Sequence, residues 1–237
     1  MKILSTGKLP FTALKIRQDK DIKVPEDFQC TDREGDNCTV SYADSGRKSF
    51  RIDGTSGGYM LFHTGNNTLY GDYIKVPEPM QRRGLGTVLH LTKIIEMMEN
   101  DFSTIKIQSM NTAVLFHAKF GFRPDIKDFK EAQNALIAVS RTGFLSEDLI
   151  DVASQAYEQT PFADEKEYIE RANKIFDKFL KICSASKEID PDDIYFPDDP
   201  FDQNFMYNMK LTRQDVINNK DFYNNLFKKY KIDYQIS

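Results

Sequence analysis

Residues 76–87 read Val76-Pro77-Glu78-Pro79-Met80-Gln81-Arg82-Arg83-Gly84-Leu85-Gly86-Thr87, a segment that leaves a predicted strand, turns through glycines and enters a predicted helix. Such a turn directs free backbone N–H groups outwards. At a helix N-terminus the positive end of the helix dipole adds roughly 0.3 to 2 kcal/mol of attraction for an anion. The segment therefore predicts an anion site that suits a diphosphate.

Two other interpretations of the turn stay open. A dinucleotide-binding turn needs G-x-G-x-x-G directly after the strand, but Leu89 holds the third glycine position and seven residues separate Val76 from Gly84. The other interpretation is an ordinary strand-to-helix loop with glycines at convenient positions. It would be favoured if Gly84-Leu85-Gly86 stood alone.

The flanking sequence predicts a mixed α/β arrangement. Residues 38–76 alternate short β-rich runs with turn residues, which is typical of an antiparallel meander. Residues 84–100 carry apolar side chains at helical spacing, and residues 104–109 return to strand alternation. A helix that crosses between two strands indicates a βαβ unit. A second helix is predicted over 111–120, with Gly121 as the residue that ends it.

Two motifs carry a family resemblance. Gln81-Arg82-Arg83-Gly84-Leu85-Gly86 resembles the Q/R-x-x-G-x-G/A acetyl-CoA signature of the GNAT superfamily of N-acetyltransferases. Downstream, residues 113–122 resemble the second signature of that family, an apolar helix that ends in Gly-Phe. Two motifs in this order and at this spacing are more specific than either alone. The resemblance covers roughly residues 10–125 and 203–211.

The resemblance implies an α/β (α+β) fold with a GNAT-like mixed central sheet that splays open, a helical insertion and a C-terminal helix. It implies acetyl-CoA as cosubstrate, with the pantetheine arm against the backbone of Ile74, Lys75 and Val76 and with Asn111 bonded to that arm. Arginines suit the CoA phosphates, although a solvated charge pair at the helix start is an equal alternative. The implied pyrophosphate-binding residues of the turn are Gln81, Arg82, Arg83, Gly84, Leu85, Gly86 and Thr87.

The expected catalytic residues are His117 and Asp72. Four residues before Gly121 the family commonly has a Tyr that protonates the leaving thiolate, and this chain has His117. An imidazole, with a reference pKa of about 6.5, could donate that proton, and a histidine packed between helix and sheet is the alternative. Asp72 shares strand parity with Ile74 and is the candidate base, against the alternative of a solvent-facing acid. His63 and His90 are expected to be structural.

The chain departs from the family around the acceptor. About twenty polar residues stand where the family has two helices that shape the acceptor pocket. We therefore expect a core over 1–125, a helical insertion with an acidic loop over 126–202, and a last strand and helix over 203–237. The loop Glu188–Asp202 holds seven acids and no base, so it could attract a cationic amine, or it is a solvated connector.

Composition excludes several classes of protein. The chain has 237 residues, 36 acidic against 32 basic, and a net charge of −4, which argues against nucleic acid as a partner. The three cysteines lack metal spacing, so plain thiols and no metal site are expected. No apolar stretch approaches the roughly 18 residues of a membrane span, and no signal peptide is visible, so a soluble cytoplasmic protein is expected.

The sequence thus predicts an acetyltransferase that moves the acetyl group of acetyl-CoA to a primary amine by direct transfer in a ternary complex. The acceptor is a small cationic molecule or a protein, and a homodimer is one option for the oligomeric state. The alternative is a non-catalytic GNAT-fold module that binds acyl-CoA as a sensor or mediates protein interaction. A CoA-free interaction protein is the third option.

Overall fold

The computed structural model describes residues 14–110, 113–143, 147–158, 164–185 and 206–237. The chain divides into two compact units, one formed by residues up to Thr104 together with Arg213–Ser237 and the other by Ile105–Thr212. The division differs from the three predicted segments, because the helices of the predicted insertion belong to the same unit as the last strand.

The first unit is built on an antiparallel meander. Consecutive strands pair from β3 to β7, which confirms the meander predicted over 38–76. A separate hairpin, β1 and β2, occupies much of the polar stretch that precedes the meander. The strands are β1 (Ile16–Asp19), β2 (Ile22–Pro25), β3 (Phe28–Thr31), β4 (Asn37–Asp44), β5 (Lys48–Ile52), β6 (Gly58–Gly65) and β7 (Thr68–Lys75).

The described part of the first unit also contains the helices α1 (Leu85–Glu99), α6 (Arg213–Asn218) and α7 (Lys220–Lys229). One face of the meander forms the core with α1, because its inward side chains are apolar, as in Phe50 and Phe62, whose rings stack 5.1 Å apart. α1 is buried on nearly all sides from Leu85 to Met97. It is therefore a central helix of its unit, and this placement fixes its N-terminus at the predicted turn.

Over its described residues, the second unit combines three strands with four α-helices. Strand order is β8–β10–β9, so the last strand in sequence lies between the two earlier ones. The helix Glu165–Ala185 packs against this central strand, Met206–Thr212. The rings of Phe176 and Tyr207 are in contact there, with 5.2 Å between their centroids. The elements are β8 (Thr104–Met110), α2 (Val114–Lys119), β9 (Arg123–Pro124), α3 (Phe129–Gly143), α4 (Ile150–Tyr157), α5 (Glu165–Ala185) and β10 (Met206–Thr212).

The cysteines and the lengths of the helices also bear on the sequence predictions. Cys30, Cys38 and Cys183 are buried free thiols, which agrees with the prediction of plain thiols. Within the described ranges, every helix falls short of the length or apolarity that a bilayer crossing requires.

Candidate active site

The predicted anion turn connects β7 to α1. A single 3₁₀ turn, Glu78–Met80, follows the strand, and the backbone then passes through positive φ at Arg82 (64°) and Gly84 (80°) before α1 begins. No side chain caps the helix at Gly84, and no acid lies in the first turn. Because the first N–H groups of a helix have no acceptor within it, this end of α1 is suited to an external anion.

Gly84 is pressed against a tyrosine from the end of the chain. A Cβ on Gly84 would overlap the Tyr230 hydroxyl oxygen and lie 2.7 Å from the ring. Tyr230 is buried, and its carbonyl accepts a 2.9 Å hydrogen bond from the Thr31 N–H. The turn thus needs glycine here for two reasons, its left-handed conformation and this close approach.

Arg83 is held by three carboxylates. Its Nη2 pairs with Asp32, Asp36 and, at 3.4 Å, Glu34, and the side chain of Asp32 is fully buried. The Oδ1 of Asp32 accepts the N–H groups of Glu34 and Asp36, both at 2.9 Å. The Arg83 guanidinium therefore forms a charge cluster with the loop before β4, whereas Arg82 is exposed.

Those three carboxylates also lie close enough together to hold a cation, with ligand atoms within 4.8 Å of one another. Arg83 supplies the positive charge at this cluster.

A β-bulge corrects the predicted orientation of Asp72. Pairing of β6 with β7 shifts between Leu61 and Phe62, so that Phe62 pairs with Gly71 but Leu61 with Tyr73. Strict alternation would place Asp72 on the face of Ile74, which pairs with the buried Met60. The extra residue instead turns Asp72 to the opposite face, because a bulge places two residues opposite one.

On that face Asp72 meets a histidine. The Asp72 Oδ1 lies 2.7 Å from the Nδ1 of His63, and the His63 ring stacks on Tyr70 with 4.7 Å between centroids and 4° between planes. The His63 side chain is 60% exposed and that of Asp72 31%. Sequence reasoning took His63 as structural, whereas the structure forms a carboxylate–imidazole pair at the surface.

α1 carries ionisable side chains inside the first unit. His90, Lys93 and Glu96 are all buried. Burial lowers the pKa of Lys93 to about 7, against the opposing effect of the Asp72 carboxylate, which raises it. Burial also raises the pKa of Glu96 to about 8. Asp72 is thus electrostatically coupled to a buried lysine as well as hydrogen-bonded to His63.

His117 lies in the second unit, on α2. Helix α2 ends in a Schellman motif, in which Gly121 (φ 82°) donates to the Ala118 carbonyl at 2.9 Å and Phe122 donates to the His117 carbonyl at 3.3 Å. This confirms Gly121 as the residue that ends the helix. The His117 ring is 8% exposed and makes edge contacts with Phe116 and Phe122. The two contacting rings come from α2 itself and from the residue after Gly121.

The remaining predicted site residues follow the backbone. Ile74 and Lys75 are in β7, with Val76 directly after it, and Gln81 donates from Nε2 to the Val76 carbonyl at 3.2 Å. Leu85, Gly86 and Thr87 form the first turn of α1. Asn111 and the acidic loop Glu188–Asp202 lie outside the described residues.

Comparison with known proteins gives matches among solved structures alone. No protein-family model matches the chain, and no curated protein does. A GNAT family acetyltransferase from Elizabethkingia anophelis with acetyl-CoA bound is 16% identical over 38% of this chain and 79% of that one, with a TM-score of 0.35. IAA acetyltransferase from Bacillus cereus ATCC 14579 is 24% identical over 35% of this chain and 59% of that one, with a TM-score of 0.32. Nourseothricin acetyltransferase is 17% identical over 50% of this chain and 73% of that one, with a TM-score of 0.33.

Proposed function

We propose that this protein is an acetyltransferase that moves the acetyl group of acetyl-CoA to a primary amine by direct attack within a ternary complex. The observation that carries the proposal is the uncapped N-terminus of α1, which follows β7 through a turn with the sequence Gln81-Arg82-Arg83-Gly84-Leu85-Gly86. That sequence resembles the acetyl-CoA signature of the GNAT superfamily, and the turn it forms is suited to a diphosphate.

The donor set of the turn fits a CoA pyrophosphate. Backbone N–H groups of Leu85, Gly86 and Thr87 are free of intrahelical acceptors by their position, and the first turn contains no carboxylate that would repel a phosphate. Gly86 adds no side chain at the first turn. Exposed Arg82 is the nearest cation outside the Arg83 cluster in sequence and would contact a phosphate.

In the proposed complex the pantetheine arm lies along Ile74, Lys75 and Val76, which lead directly into the turn. Acetyl-CoA supplies the activated acyl group as a thioester. The chain must then accept a proton from the amine and provide one to the departing thiolate. His117 remains the proposed acid for the thiolate, with packing as the alternative role.

The activity is tested by thiol release from acetyl-CoA with a panel of polyamines, aminoglycosides and basic peptides. Release that depends on both protein and amine, with an acetylated amine identified by mass spectrometry, supports the proposal. CoA binding without release for any amine would favour the acyl-CoA sensor. Absence of CoA binding would refute both.

The cofactor turn is tested with Gly86→Glu. A carboxylate about 4 Å from a phosphate costs roughly 1 to 4 kcal/mol, depending on local screening, so the CoA dissociation constant should rise about 5- to 1000-fold by calorimetry. Gly86→Gln is the matched control, since it adds nearly the same volume without charge and should lose less affinity. A folded Gly86→Glu variant with wild-type affinity for CoA would contradict the assignment of this turn.

A further inference from the structure

We propose that His63 is the general base of the acetyl transfer and that Asp72 positions it, an inference that rests on the proposed function. The assignment differs from the sequence expectation, in which Asp72 itself was the base. It follows from the hydrogen bond between the two side chains, from the stacking of the imidazole on Tyr70 and from the exposure of the imidazole on the face opposite the core.

The hydrogen bond decides which nitrogen of His63 can act. An ionised carboxylate only accepts hydrogen bonds, so the Nδ1 that lies 2.7 Å from the Asp72 Oδ1 must carry a proton. In the neutral ring the lone pair is then on Nε2. Because the side chain is 60% exposed, Nε2 can be reached by an acceptor amine.

The surrounding strands hold the ring in this orientation. Tyr70 is the direct cross-strand partner of His63, and the two rings are nearly parallel. Asp72 lies two residues beyond Tyr70 on β7, so it is diagonally across from His63 on the same face. One stacking partner and one hydrogen bond therefore fix the orientation of the ring before it takes up a proton. A general base needs such a fixed position.

A buried lysine lies behind the pair. Lys93 is 1% exposed, and its Nζ makes no hydrogen bond to any of the described residues. The Asp72 carboxylate raises the pKa of this lysine against the larger lowering by burial. Asp72 therefore interacts both with this buried amine and with the His63 imidazole.

The position of the pair along the chain is compatible with transfer from CoA. Asp72 precedes Ile74 by two residues on β7, a distance of about 7 Å along a strand, and the pantetheine arm is proposed to begin its path there. The pair and the proposed thioester path therefore share one strand.

The proposed transfer forms a C–N bond to the amine and breaks the C–S bond of the thioester. The amine nitrogen attacks the thioester carbonyl carbon and forms the C–N bond, while Nε2 of His63 takes a proton from that nitrogen. The C–S bond breaks, and CoA leaves as a thiolate that is protonated to the free thiol. His63 then releases its proton to solvent. The overall reaction gives acetylated amine and CoA from acetyl-CoA and amine, with no other reactant.

The kinetic test uses the panel amine with the highest wild-type rate. His63→Gln should lower kcat about 100- to 10,000-fold with an unchanged KM for acetyl-CoA, since a general base acts in the transition state. Added imidazole should restore part of the rate to His63→Gly but none to Asp72→Asn, whose imidazole is present but wrongly oriented. Tyr73→Phe, on the same face, is the control and should keep the wild-type rate. A wild-type kcat for His63→Gln would overturn the proposal.

A second readout does not depend on turnover. Nitrogen-15 NMR of the imidazole should show the Nδ1–H tautomer in the neutral wild-type His63 and its loss in Asp72→Asn. If no panel amine releases thiol, the proposed function is refuted. The tautomer of His63 still tests the arrangement of the His63–Asp72 pair independently of that result. An Nε2–H tautomer in the wild type would overturn the role of His63, because the nitrogen that faces the acceptor would then be a donor.

Discussion

At the scale of single residues, Lys93 and Glu96 stand out because both place an ionisable group inside the first unit. The Nζ of Lys93 and the Oε2 of Glu96 are buried and make no hydrogen bond to the described residues. Burial favours the neutral form of each, so their pKa values move towards each other, to about 7 and about 8. The two side chains are three residues apart on α1 and have opposite effects on the pH dependence of stability.

We expect this opposition to be measurable by urea unfolding between pH 5 and 10. Folded Glu96 keeps its proton up to about pH 8, whereas the unfolded carboxyl loses it near pH 4.5, so stability falls across this window. Folded Lys93 releases its proton near pH 7 and the unfolded amine near pH 10.5, so stability rises across that window. Each slope approaches about 1.4 kcal/mol per pH unit for a single proton.

The matched variants separate the two contributions. Glu96→Gln should remove the fall between pH 5 and 7 and leave the alkaline rise. Lys93→Met should remove the rise above pH 8 and leave the fall. If either slope survives its own variant, another buried group causes it.

The residue scale is also where sequence reasoning was least complete. Asn66-Asn67 marks a two-residue hairpin turn, and counting outwards from it pairs His63 with Tyr70, as the structure has it. Asp72 lies two residues beyond Tyr70, so the same count places it on the face of His63. The bulge after Gly71 then moves Ile74 to the other face, and only Gly71 hints at it. Alternation counted from Ile74 therefore gives the wrong face for Asp72, and the carboxylate–imidazole pair was missed.

At the scale of elements, the turn between β7 and α1 is fixed by distant parts of the first unit. Arg83 binds the carboxylates of the loop before β4, and the Arg33 N–H donates to the Arg83 carbonyl at 2.8 Å. Tyr230 closes the other side against Gly84. The sequence predicted that the turn exists and where α1 begins, because glycines and helical periodicity are local signals. The supports were not predictable, since they join residues far apart in the chain.

The contact with Tyr230 predicts an unusually large cost for Gly84→Ala. An alanine in the left-handed region costs about 1 to 2 kcal/mol, and overlap of its Cβ with the buried tyrosine adds about 1 to 3 kcal/mol more. Gly54→Ala is the control, because Gly54 has a similar φ of 75° but nothing within 4 Å of its Cβ position. Chemical denaturation should show the larger loss for Gly84→Ala, and equal losses would mean that Tyr230 yields freely.

At the scale of the whole molecule, the helices between β9 and β10 are integral to their unit. Buried Glu131 on α3 accepts hydrogen bonds from the backbone N–H and the side-chain amide of Asn208 on β10. Asn173 on α5 exchanges two hydrogen bonds with the backbone of Ile126. The sequence predicted helices here from their apolar stripes, but a polar side chain carries no local sign of its partner, so the locking contacts were not predicted.

Glu131→Ala should therefore destabilise the second unit by about 1 to 3 kcal/mol, since it leaves the half-buried donors of Asn208 without their acceptor. Glu170→Ala is the control, because Glu170 on α5 is exposed, and it should change stability by no more than about 0.5 kcal/mol. Hydrogen exchange of β10 amides reports the effect locally. Unchanged protection of the Asn208 amide in Glu131→Ala would contradict the role given to this carboxylate.

The contact between Gly84 and Tyr230 also sets the order of events during synthesis. The two sides of this turn belong to parts of the first unit that are separated by Ile105–Thr212, a stretch of 108 residues. A ribosome that adds about 5 to 20 residues per second takes about 5 to 20 seconds to make that stretch. A nascent chain therefore carries an unfinished turn through this interval, and the turn is closed on both sides only after the tyrosine has left the ribosome.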